Sequence, residues 1–150
     1  MLPVIVDCIA VVAVVVAAVI WFRRARAKRE LAAHSVDADG LYALLNPVRK
    51  VLVFDIRQPL DLLAHSEIIP GAVRVSPKDA LENPWQFPRE KDVVIYCTCP
   101  GDKTSRSVLR RVLALQFARV KLLRGGFEAW KAKGYPVERY DKSFRLDTAS

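Results

Sequence analysis

Two thiols one residue apart, Cys97 and Cys99, are the side chains of this 150-residue sequence best suited to covalent chemistry. They stand in the stretch Tyr96-Cys97-Thr98-Cys99-Pro100-Gly101-Asp102-Lys103-Thr104-Ser105. A short apolar run, Val93-Val94-Ile95, precedes it, and a helical spacing of apolar residues, Val108, Leu109, Val112, Leu113 and Leu115, follows. That pattern predicts a thiol at the end of a buried strand, on a loop that feeds a helix N-terminus. Backbone N–H groups there carry about half a unit of positive charge. They stabilise a bound anion, or a thiolate, which is the reactive form of cysteine.

The elements that must hold such a loop follow from the rest of the chain. Leu2 to Phe22 is almost wholly apolar, and about 20 residues at 1.5 Å each span a ~30 Å hydrocarbon core. No Lys or Arg precedes this run and five follow it, which argues for an uncleaved anchor rather than a signal peptide. Trp21 and Phe22 stand where an interfacial anchor would. The positive-inside rule then predicts a single-pass inner-membrane protein with a short N-terminus outside and the remaining domain cytoplasmic. Residues 23–34 read as a basic juxtamembrane linker near anionic headgroups, residues 35–140 as the folded domain, and residues 141–150 as a polar tail.

The net charge is +8, but Arg23, Arg24, Arg26, Lys28 and Arg29 concentrate much of it in one run. No basic–aromatic interleaving points to nucleic acid, so no nucleic-acid partner is expected. Of the three cysteines, Cys8 lies in the apolar segment as a small hydrophobe, and the odd count suits a reducing compartment. A lone Cys-x-Cys lacks the further ligands of a structural zinc site, and His34 and His65 have no ligand-like spacing, so neither metal nor cofactor is expected.

Within the domain, Val36 reads as an edge strand running into a capped helix at Asp37-Ala38-Asp39, with Leu41, Leu44 and Leu45 as its apolar face. Val51-Leu52-Val53-Phe54 reads as a strand buried on both faces, closed by Asp55-Ile56-Arg57. A short helix over Pro59 to Ala64, the turn Ile69-Pro70-Gly71-Ala72, the strand Val73 to Val75 and a helix from Pro77 come next. Asp92 to Tyr96 is the next strand, and the helix after the thiol loop runs to about Phe117. Val120 to Leu123 is a further strand, Gly125-Gly126 a sharp turn, and Phe127 to Lys133 a short helix stopped by Gly134. Strands alternating with helices predict a parallel α/β sheet wrapped by helices, with ligands at the carboxyl ends of its strands.

Taken in order, four pieces of the domain resemble the rhodanese-like domain family. They are the strand ending Val53-Phe54-Asp55-Ile56-Arg57, the turn Ile69-Pro70-Gly71-Ala72, the junction Tyr96-Cys97, and the ending Leu123-Arg124-Gly125-Gly126-Phe127-Glu128-Ala129-Trp130. Gly134-Tyr135-Pro136-Val137 fits the family's closing segment as well. The Cys-x-Cys-Pro loop resembles that of membrane-associated bacterial members. The resemblance implies a three-layer fold around a mostly parallel sheet.

It also implies sulfur transfer. A thiolate takes the outer sulfur of thiosulfate or of another persulfide, and the cysteine persulfide passes that sulfur to a thiol or other thiophile. The chain departs from the family's commoner Cys-x-x-Gly-x-Arg-Ser loop, having no Arg within it. Counting forward from the strand picks Cys97 as the nucleophile, and counting back from Gly125-Gly126 picks Cys99. Cys97 is the choice here, because the strand end fixes the thiol and Pro100 removes an N–H donor from Cys99. Thr98, Gly101, Asp102, Lys103, Thr104, Ser105 and Arg106 form the expected anion-binding loop. Within it Gly101 allows the backbone to curl, Lys103 or Arg106 supplies a cation, and Thr104 or Ser105 caps the helix or hydrogen-bonds the persulfide. Asp55 and Arg57 are expected to support the loop as an ion pair, and Trp85 and Trp130 to be core or lid residues. Two rivals remain: a catalytically silent interaction module at the membrane, and a redox switch in which Cys99 closes a disulfide with Cys97.

Overall fold

The computed structural model describes the backbone of residues 2–140 and the side chains of residues 9–140. The polar tail expected over 141–150, and the side chains of Asp7 and Cys8, lie outside the described residues. The chain divides into two compact units, Met1–His34 and Ser35–Ser150.

The first unit is one helix, α1 (Leu2–Ala33), of 32 residues. Among the described residues no helix is long and apolar enough to cross a membrane. Residues 9–22, the described part of the apolar run, rise only about 21 Å at about 1.5 Å per residue, and Arg23 and Arg24 follow at once.

The second unit is built on five parallel strands. In chain order they and their neighbours are β1 (Ser35–Val36), α2 (Ala38–Leu45), β2 (Val51–Asp55), α3 (Pro59–Ala64), β3 (Glu67–Ile68), β4 (Val73–Arg74), α4 (Pro77–Glu82), β5 (Asp92–Tyr96), α5 (Lys103–Ala114), β6 (Val120–Leu123), α6 (Gly126–Ala132) and β7 (Glu138–Arg139). The main sheet runs β1-β6-β5-β2-β4, and β3 pairs with β7 as a separate antiparallel ribbon. The two most apolar runs, β2 and β5, lie at the centre with other strands on both sides, as burial on both faces requires.

Alternation along these strands sends side chains to two layers of helix. On one face Val53, Val94, Tyr96 and Leu123 join Leu41 of α2 with Phe127 and Trp130 of α6 in one buried cluster. On the other, Phe54 meets Phe87 edge-on at 5.0 Å, and Val108, Leu109 and Val112 of α5 are buried. Asp37 caps α2, its carboxylate accepting the Gly40 N–H at 2.8 Å. The β2–β5 register sets Asp55 beside Tyr96, so Asp55 and Cys97 come off neighbouring strand ends on the same edge of the sheet.

Two expectations are corrected, and one feature is added. Helix α5 stops at Ala114 rather than near Phe117, because Gln116 adopts φ 64° and the Phe117 N–H turns back to the Val112 carbonyl at 3.0 Å. Trp85 is 66% exposed and is no core residue, its ring lying instead near Arg89 at 5.6 Å. The β3–β7 ribbon has no counterpart in the sequence reading, since strands of two residues carry no periodicity.

Candidate functional site

Beneath the thiol loop lies a buried ion pair. Arg57 and Asp55 are both fully buried, and the Arg57 Nε–H donates to Asp55 Oδ1 and Oδ2 at 3.0 and 2.9 Å. The same guanidinium donates to the carbonyls of His65 (3.2 Å) and Glu67 (2.7 Å), tying α3 and β3 to the end of β2. The Tyr96 hydroxyl donates to Asp55 Oδ2 at 3.0 Å and accepts the Ile69 N–H at 3.3 Å. Burial, reinforced by the Asp55 charge, pushes the Tyr96 hydroxyl well above its ordinary range, so it stays a donor. Arg57 also lies over the Phe127 ring at 4.5 Å. This is the supporting ion pair expected from Asp-x-Arg, and it fixes the residue from which the loop departs.

The loop is held from three directions. At its start, the Cys97 carbonyl accepts the Phe127 N–H at 3.0 Å. Its middle is tied to α3, because Thr98 Oγ1 donates to Asp61 Oδ2 at 3.0 Å. At its far end Asp102 takes a left-handed conformation (φ 55°) and its carboxylate accepts the Gly125 N–H at 3.0 Å. Gly101, at φ 66°, makes the curl that glycine was expected to allow. Gly126 is present because the backbones touch: a Cβ there would lie 1.9 Å from the Cys97 carbonyl oxygen.

Inside this frame the two sulfurs converge, with Sγ–Sγ at 2.9 Å. Cys97 is 1% exposed, and burial together with the contact to Cys99 pushes its thiol up to about 11. Cys99 is half-buried, and its Sγ accepts the Thr104 N–H from the first turn of α5 at 3.2 Å and contacts Thr104 Oγ1 at 3.2 Å. Burial works against ionisation of Cys99, but the hydrogen bonds from Cys97, from Thr104 and from its own amide outweigh it and lower its pKa. Amides of Cys99, Thr104 and Ser105 all favour a thiolate at one sulfur or the other. The removal of one donor by Pro100 therefore leaves Cys99 supplied from the helix side.

The remaining loop residues are placed as follows. Neither Thr104 nor Ser105 caps α5: its N-cap is Asp102, whose side chain is committed to Gly125 instead. Ser105 is wholly buried with its hydroxyl unpartnered, and it acts on Cys97 to favour the thiolate. Lys103 is exposed, while Arg106 is partly buried with its Nε unpartnered. Sequence reasoning missed Asp61, for which no spacing speaks, and read Gly125-Gly126 as a turn and as part of the family-like ending, not as a contact with the thiol loop. A glycine pair directly after a buried strand is also the signal of a close backbone approach. Among the described residues no three His, Cys, Asp or Glu side chains converge to hold a metal.

Known proteins resemble this chain in sequence and in fold. Residues 37–133 match the rhodanese-like domain family. The chain is 29% identical over 104 residues to a sulfurtransferase of Allochromatium vinosum, covering 69% of this chain and 94% of that protein. A thiosulfate sulfurtransferase from Pseudomonas aeruginosa superposes with TM-score 0.55 at 28% identity, over 72% of this chain and 20% of that one. A full-length protein from Lactobacillus plantarum superposes with TM-score 0.66 at 24% identity, over 78% of this chain and 97% of that one, a likeness of fold.

Proposed function

The chain belongs to the rhodanese-like domain family, and from that premise we propose that it is a sulfurtransferase carrying sulfane sulfur as a persulfide on Cys99. The observation that supports this most is the Thr104 N–H of α5 bonded to the Cys99 sulfur at 3.2 Å. The same sulfur is half-buried where Cys97 is wholly buried, and its pKa is lowered where that of Cys97 is raised. The Cys99 thiolate attacks the outer sulfur of thiosulfate, the sulfur–sulfur bond of the donor breaks, and sulfite leaves with the electron pair. The loop amides hold the new terminal sulfur until an acceptor thiolate attacks it, regenerating Cys99. Lys103 and Arg106 offer positive charge to the incoming anion from the start of α5.

The test is the rate at which the protein gains one sulfur atom from thiosulfate, read by intact mass as a function of pH. Since Cys99 reacts as thiolate, the rate is expected to hold its plateau below the ordinary thiol range near about 8.5 and to fall as pH drops through the lowered pKa. A rate still climbing above that range would instead assign the step to Cys97, whose thiol lies at about 11. A folded protein that gains no sulfur from thiosulfate or from a small persulfide would favour the silent interaction module.

We further propose that the N-terminal helix holds this domain at the inner membrane with the domain cytoplasmic. The support is the run from Leu2 to Phe22, apolar but for Asp7, followed by five basic residues within seven positions. The full chain is expected to sediment with membranes after alkaline carbonate washing, and a chain starting at Ala32 to remain in the supernatant. Release of the full chain by the wash overturns the anchor.

A further inference from the structure

Cys97 has no part in the transfer just described, yet it is placed against the reacting sulfur. Its Sγ lies 2.9 Å from Cys99 Sγ, closer than two sulfurs pack without bonding, and a disulfide of about 2.05 Å needs an approach of only about 0.9 Å more. Both flanks of the pair are pinned. Cys97 is fixed by its carbonyl bond to Phe127, Thr98 by its hydroxyl bond to Asp61, and Cys99 by the Thr104 amide. The folded backbone thus holds the two sulfurs side by side before any bond forms. The buried Ser105 hydroxyl beside Cys97 has no hydrogen-bond partner, and it favours the thiolate there.

We infer that Cys97 is a resolving thiol, which attacks the inner sulfur of the Cys99 persulfide, closes a Cys97–Cys99 disulfide and expels the outer sulfur as sulfide. This rests on the reading that Cys99 takes the sulfur first. In the step the Cys97–Cys99 bond forms while the bond from Cys99 Sγ to the outer sulfur breaks. The outer sulfur leaves with the electron pair as HS⁻, reduced from the sulfane level, and the two cysteines are oxidised together. The Cys97 proton is released to solvent or taken up by the sulfide. A dithiol reductant, or two equivalents of a small thiol, then reopens the disulfide. Transfer to an external thiol and release as sulfide are therefore competing fates of one persulfide, and the supply of acceptor decides between them.

The test loads the full-length chain with thiosulfate, removes the donor, and follows intact mass and free sulfide with no thiol present. Wild type is expected to pass from a gain of about 32 Da to a loss of about 2 Da, with about one sulfide released per chain. Cys97→Ser and Cys97→Ala are expected to hold the added sulfur at least about tenfold longer and to release no sulfide. A dithiol reductant should return oxidised wild type to its starting mass. If the Cys97 variants load but lose sulfur as fast as wild type, or wild type loads and forms no disulfide, the resolving role fails while the carrier role of Cys99 stands. If the Cys97 variants never load and Cys99→Ser does, the roles are reversed and both readings fall.

Discussion

Replacing Gly126 with alanine is expected to cost about 3 kcal/mol or more of stability and to abolish sulfur loading. Two effects add. Gly126 sits at φ 54°, where an alanine is strained by about 1–2 kcal/mol. The larger effect is steric, because the new Cβ would lie 1.9 Å from the Cys97 carbonyl oxygen and 3.0 Å from its carbon. That neighbour is backbone at the root of the thiol loop, held by the Phe127 N–H, so relief of the clash must move the loop itself. Gly101→Ala is the matched control. Gly101 has φ 66° within the same loop, but nothing lies within 4 Å of its Cβ position, so only the conformational strain of about 1 kcal/mol applies. Thermal unfolding of the two variants, with loading measured alongside, separates the effects. Equal losses in both would sink the steric account.

Arg57→Met is expected to destabilise the fold by about 3–5 kcal/mol. Methionine fills much of the volume of the arginine stem without its charge. The Asp55 carboxylate is left fully buried with only the Arg57 N–H and the Tyr96 hydroxyl as donors. The carbonyls of His65 and Glu67 lose their donor as well, so the β3–β7 ribbon loosens with it. Adding Asp55→Asn to Arg57→Met should recover part of the loss, because the second change removes the uncompensated charge. Chemical denaturation of the two single variants and the double gives the coupling energy. Strict additivity would mean that the two side chains do not act as a pair.

The parts of this protein that could be read from its residues are those where one local rule suffices. Val51 to Phe54 and Asp92 to Tyr96 are unbroken apolar runs, and they form the central pair of strands. Asp37 announces the start of α2, and Gly134 follows the end of α6. Asp-x-Arg at the end of β2 marked the ion pair beneath the loop. What stayed hidden depends on approach in space. The relative standing of Cys97 and Cys99 turns on which sulfur α5 points its Thr104 amide at, and that follows from the curl through Gly101 and Asp102 rather than from spacing. Asp61 reaches Thr98 across 37 positions of chain, and the Glu67–Arg139 pairing joins residues still farther apart in sequence.

The clamp on the thiol loop has a consequence for how the protein comes into being. Cys97 and Cys99 emerge from a ribosome well before Gly125 and Phe127, which supply the N–H groups that hold Asp102 and the Cys97 carbonyl in place. Until that segment has been synthesised and α6 has docked, the nascent chain carries two ordinary cysteines with no cradle around them. The geometry of the thiol loop is thus completed late in biosynthesis, and a chain cut short before the glycine pair is expected to lack it.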